Sequence, residues 1–102
     1  LMAWIHENVW KRGGNVTRAD AAEYVSMNQE YMSRMFKEKT GISFKDYVLQ
    51  EKMKYAEKLL RETAMPVSVI ASKVGFSNFS HFSAMFKRFY RDAPADYRKK
   101  MS

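Results

Sequence analysis

Between its few breaks, the chain repeats apolar residues with helical period and almost nowhere alternates them. Met2, Ile5 and Val9 fall on one face of a first helix, with Trp4 and Trp10 nearby, and Gly13-Gly14 breaks the pattern. Thr17-Arg18-Ala19-Asp20 has the form of a capping box, in which side chains satisfy the unpaired N–H groups of a first turn. It opens a short helix with Ala21, Ala22 and Val25 inward. Asn28 suits the N-cap of a third helix, with Met32, Met35 and Phe36 on one face and Gly41 at its end. Ser43-Phe44-Lys45-Asp46 is a second capping box. Behind it Leu49, Met53, Ala56 and Leu60 step at helical spacing. That predicts a helix of roughly 18–20 residues, about 30 Å long. Pro66 suits a first helical turn, Val67, Ile70, Ala71 and Val74 form its inner face, and Gly75 closes it. Ser77 is expected to cap a helix striped by Phe82, Met85, Phe86 and Phe89. A last short helix, around Ala95 to Lys100, follows Pro94. No segment reads as a strand, so the expected fold is all-α with about seven helices.

The pattern also repeats. Ala22 and Val25 match Ala71 and Val74 at an offset of 49 residues. After one extra residue in the turn the offset is 50. Ser33 then meets Ser83, Met35-Phe36-Lys37 meets Met85-Phe86-Lys87, and Asp46-Tyr47 meets Asp96-Tyr97. The repeated unit is a short helix, a tight turn and a longer helix, which is helix-turn-helix geometry. This divides the chain into a first helix-turn-helix subdomain over 1–42, a linker helix over 43–62 and a second subdomain over 63–102, all within one domain.

Charge and composition narrow the function. The 102 residues carry 18 Lys+Arg against 11 Asp+Glu, and the net charge of +7 points to an anionic partner such as nucleic acid. Residues 15–41 are neutral, whereas residues 76–102 carry six basic side chains against Asp92 and Asp96. No cysteine is present, which excludes disulfides, Cys-zinc sites, iron–sulfur clusters and thiol nucleophiles. The two histidines, His6 and His81, lie far apart and suggest no metal site. We find no Gly-rich phosphate loop and no Ser/His/Asp constellation, so neither enzyme nor cofactor is expected. No signal peptide or membrane-length apolar run is visible.

The outward faces of the two longer helices are not Glu/Lys ladders. Gln29, Glu30, Ser33, Arg34 and Lys37 lie together on one, and Ser80, Ser83, Ala84 and Lys87 on the other. Small and amide side chains flanked by cations let a helix sit close in a major groove. The linking helix is comparable in length to the ~34 Å between successive major-groove segments on one side of B-DNA.

The run from Ile70 through Gly75-Phe76-Ser77-Asn78-Phe79-Ser80-His81-Phe82 to Lys87-Arg88, continued by Pro94-Ala95-Asp96-Tyr97-Arg98, resembles the C-terminal signature of AraC/XylS-type transcriptional regulators. Ala22 to Asn28 and Met35 to Gly41 resemble that family's first helix-turn-helix. The first half is most similar to the output domains of two-component response regulators. The resemblance spans about residues 3 to 98 and implies a bacterial DNA-binding domain, each recognition helix entering one of two adjacent major grooves. By position it assigns base reading to Glu30, Ser33 and Arg34, flanked by Gln29, and to Phe79, Ser80, Ser83 and Ala84, flanked by His81. Phosphate contacts fall to Thr17, Ser68, Lys37, Lys87, Arg88 and Arg91. Glu30 either accepts from cytosine N4 or holds Arg34 in place. Phe79 is expected to be exposed, facing thymine methyls.

Two positions depart from the family. Arg91 stands where glycine is usual, as Gly41 does in the first repeat, so either the helix ends differently or Arg91 is strained. Ala84 stands where many members carry Arg, which leaves more of the specificity to the first head. The run Arg98-Lys99-Lys100 is either a phosphate contact or a solvated tail. The implied partners are double-stranded promoter or operator DNA and RNA polymerase, with no membrane and a location in the bacterial cytoplasm at the nucleoid. Because Leu1 is not an initiator Met, we expect a domain of a longer protein whose sensing and dimerising parts lie upstream, monomeric by itself. The competing reading is a helical protein-interaction module without specific DNA binding.

Overall fold

The computed structural model describes residues 1–12 and 16–101. Among them run seven α-helices and no strand: α1 Met2–Arg12, α2 Arg18–Tyr24, α3 Gln29–Thr40, α4 Phe44–Glu62, α5 Val67–Lys73, α6 Phe79–Tyr90 and α7 Pro94–Met101. The Gly13-Gly14 break lies outside the described residues. The helices gather into two compact units, Leu1–Glu51 and Lys52–Ser102, so the division falls inside α4.

The first unit buries Ile5 and Val9 of α1, Ala21 and Ala22 of α2, Met32 and Phe36 of α3, and Phe44 and Val48 from the start of α4. The two alanines let α2 approach its neighbours closely. Phe36 meets Phe44 and Tyr47 edge-on, at centroid distances of 5.8 and 5.4 Å. Glu51 is buried, and its carboxylate bonds His6 Nδ1 at 2.7 Å. A buried carboxylate needs such a partner.

The second unit is built the same way from the other half of α4. Its buried residues include Met53, Ala56 and Leu60 of α4, Ile70 and Ala71 of α5 with Val74 just after it, Phe82 and Phe86 of α6 and Pro94 of α7. Phe86 lies 4.7 Å from Tyr90 and 5.3 Å from Tyr97, centroid to centroid. The Tyr90 hydroxyl donates to the Met53 carbonyl and that of Tyr97 to Glu57. Burial, reinforced by the nearby Glu57 carboxylate and Tyr97, pushes the Tyr90 phenol up to about 12. Arg98 donates from Nε to the Leu60 carbonyl and from Nη2 to that of Thr63. It therefore closes the C-terminal end of α4, where carbonyls have no helical partner. Lys100 pairs with Asp92 at 3.1 Å. Arg98 and Lys100 thus serve the unit's own structure.

The caps follow the expected chemistry with two changes. Thr17 Oγ1 accepts from Asp20 N–H, Asn28 Oδ1 from Glu30 and Tyr31 N–H, and Ser43 Oγ from Asp46 N–H. Asn78, not Ser77, caps α6, accepting from His81 N–H. The register of the repeat decides this, because Asn78 stands 50 residues after Asn28. Pro66 is itself the N-cap of α5, one place before the first turn, and supplies no side-chain bond.

Two residues expected inside are out. Met2, in the first turn of α1, is 45% exposed, at the edge of an open groove shared with Val25, Met32 and Met35. Phe89 is 39% exposed. It continues the stripe of Phe82 and Phe86, but Tyr90 and Tyr97 have already completed the core around Phe86, and the matching position in the first unit is Lys39.

Among the described residues four take a positive φ, at matching places. The turn between α2 and α3 has Ser26 at φ 55°, and that between α5 and α6 has Gly75 at φ 92°. In both, the next residue's N–H reaches the fifth carbonyl back, Met27 to Ala22 and Phe76 to Ala71, the mark of a Schellman ending. After α3 stands Gly41 at φ 79°, and after α6 stands Arg91 at φ 69°. Their N–H groups bond the Lys37 and Lys87 carbonyls at 2.8 and 2.7 Å. The α6 helix therefore ends as α3 does, and Arg91 takes the left-handed conformation that glycine adopts without a steric penalty.

Candidate nucleic-acid interface

In each unit a short helix and a tight turn present a twelve-residue helix, α3 or α6, with one face buried and the opposite face in solvent. Burial along the two helices matches position for position. Met32 and Phe36 are buried where Phe82 and Phe86 are, and Ser33 and Met35 are half-buried where Ser83 and Met85 are.

On α3, Gln29, Glu30, Arg34 and Lys37 are exposed. Among the described residues no ion pair joins Glu30 to Arg34. The Arg34 guanidinium instead lies over the Tyr31 ring, 5.8 Å from its centroid, as i, i+3 spacing on a helix permits. That contact holds the side chain without neutralising it. The Ser33 hydroxyl is enclosed and has no hydrogen-bond partner, so it reaches a base only by rotating outward.

On α6, Ser80, His81, Ala84, Lys87 and Arg88 are exposed, and Phe79 is 48% exposed at its first position. Phe79 leans on Phe82 at 6.4 Å, and the His81 ring meets Phe76 edge-on at 5.4 Å. Ser68 and Thr17 are exposed near the starts of α5 and α2, although the Thr17 oxygen already accepts the cap bond. Arg91 is exposed beyond the end of α6.

The structure adds residues that the sequence did not bring together. A groove of about 500 Å³ in the first unit is lined by Arg18 of α2, Ser33, Arg34, Lys37 and Glu38 of α3, Ser43, and Phe44 and Lys45 of α4. Arg18 and Lys45 are 27 positions apart, and each read only as the interior of a capping box. Their cationic face was therefore hidden behind a local structural role.

Two exposed recognition helices, each set on a short helix by a tight turn, define a tandem helix-turn-helix reader. A helix-turn-helix domain family matches residues 21–100. The Msm operon regulatory protein of Streptococcus mutans is 30% identical over 87% of this chain and 32% of its own length. The transcriptional activator RhaS of Escherichia coli is 30% identical over 97% of this chain and 34% of its own. The solved C-terminal domain of the two-component response regulator yesN from Fusobacterium nucleatum superposes with a TM-score of 0.82 at 34% identity, covering 95% of this chain and 93% of that one. The chain belongs to the AraC-type helix-turn-helix DNA-binding domains of transcriptional regulators. It spans roughly a third of the length of the curated relatives it matches.

Proposed function

We propose that this domain binds a specific duplex of about two helical turns, with α3 and α6 each reading one of two adjacent major grooves, and so directs transcription. What carries the reading is the equivalence of the α3 and α6 faces, exposed in one register and formed by amide, small and cationic side chains. In the first head Arg34 reads a base, aided by Gln29, Glu30 and, after rotation, Ser33. In the second, Phe79, Ser80, His81, Ser83 and Ala84 read thymine methyls and groove shape. Thr17, Lys37, Ser68, Lys87, Arg88 and Arg91 take phosphates.

The surrounding biology follows as part of the same proposal. The site of action is the bacterial cytoplasm, at the nucleoid. RNA polymerase is the protein partner, and the domain by itself is a monomer serving a longer regulator. The reaction class is binding without catalysis.

Selection of bound duplexes from a random library tests this, with the winners' affinities followed against salt. Two enriched blocks about 10–11 bp apart are expected, with a log–log salt slope of several units. One block would assign the α6 head to positioning alone. No enrichment would overturn the proposal in favour of a helical protein-interaction module.

A further inference from the structure

Several basic residues outside the reading faces have a local employment. Lys11 pairs with Glu7, Arg61 with Glu57, Lys100 with Asp92, and Arg98 closes the end of α4. The groove of the first unit differs. Arg18, Arg34, Lys37 and Lys45 line it with Glu38 as its single acidic residue, and among the described residues none of the four lies within ion-pair distance of a carboxylate. Arg18 is the first residue of α2 and Lys45 the second of α4. A cation in a first helical turn is opposed by the helix dipole, so neither is placed where it favours its helix. The second unit has Val67 at the Arg18 position and Ala95 at the Lys45 position, so its fold needs no cation at either place. Four unpaired cations converging on one open groove raise the local affinity for an anion.

We infer that Arg18 and Lys45 are phosphate-binding residues. They grip the DNA strand that borders the major groove read by α3, and they give the first unit a backbone clamp that the second unit lacks. This rests on the DNA-reading function proposed above. It assigns two contacts on α2 and α4 beyond those on the recognition helices.

The test uses the whole chain and the duplex selected by the wild type. Arg18→Ala and Lys45→Ala should each lower the log–log salt slope by about one unit, and the double variant by about two, with the ranking of duplex sequences unchanged. A methylphosphonate at a single phosphate beside the first block should give the same drop, with no further drop in Lys45→Ala. Removing a cation from a first turn does not weaken the helix, and thermal melting of each variant checks that it folds. Unchanged slopes with wild-type sequence preference would overturn the clamp and leave the DNA reader standing. A changed base preference in Lys45→Ala would also overturn it, making Lys45 a base reader. Loss of all sequence preference in the wild type would overturn both.

Discussion

The two units solve one folding problem with different residues at the same two difficult places. Where the backbone must turn left-handed, the first unit uses Ser26 and then Gly41, and the second uses Gly75 and then Arg91. Each unit therefore has one relaxed corner and one strained corner, in opposite order. Around these corners the helices bury matching positions, yet the aromatic content differs. The second core gathers Phe82, Phe86, Tyr90 and Tyr97, while the first sets Met32 beside Phe36, Phe44 and Tyr47. The outward faces of α3 and α6 differ more. Arg34 faces outward in one head, Ala84 in the other. The lesson is that buried pattern and backbone register define this fold, while the exposed positions are free to give each head its own chemistry.

The largest expected effect tests the cores. Phe86→Ala should destabilise the domain by about 3–5 kcal/mol and Phe36→Ala by somewhat less. Phe86 is fully enclosed and touches Phe82, Tyr90 and Tyr97, whereas Phe36 stays 5% exposed. Urea unfolding followed by circular dichroism measures both, and equal losses would break the comparison.

Next comes the contrast between heads. Arg34→Ala should lose about 1–3 kcal/mol of binding and relax preference at one base pair in the first block only. Ala84→Arg should add a preference in the second block. A loss spread evenly over all duplexes would make Arg34 a phosphate contact.

The strained corners give a smaller, signed test. Arg91→Gly should stabilise by about 0.5–1 kcal/mol, since relief of the left-handed strain exceeds the added freedom of the unfolded chain. Gly41→Ala should destabilise by about 1 kcal/mol. A Cβ at Gly41 meets nothing within 4 Å, so the loss would report the backbone alone. Thermal melts of the two variants should move in opposite directions.

The last test is confined to alkaline pH. The folded Tyr90 phenol is raised to about 12, above the ~10 of an unfolded tyrosine. Its contribution is thus complete below pH 10 and is lost as pH rises through the folded value. Stability should fall over that window, and less so in Tyr90→Phe. Absorbance of the phenolate against pH, beside chemical unfolding at each pH, checks the sign.

Much of this was legible from the residues. The helical period placed all seven helices, because each unit buries one stripe per helix and little else competes with that signal. Sequence order also located the outward faces of α3 and α6, since they are whatever the stripe leaves outside. The misplacements at Ser77, Met2 and Phe89 share a cause. Local pattern does not say where a neighbouring element stops covering a face, nor which of two adjacent polar residues the register selects as cap. Arg98 shows the same limit, since a basic tail gives no sign that its guanidinium closes a helix 35 residues earlier.

The sequence by itself determined the helices, the repeat, the inward stripes and the charge, because these depend on interactions within a few turns of one helix. Only the tertiary structure decided that Glu51 finds His6, that Arg91 takes the glycine conformation, and that Arg18 and Lys45 meet Arg34 around one groove. Those outcomes depend on how helices distant in sequence come together, and that is set by packing the whole unit at once.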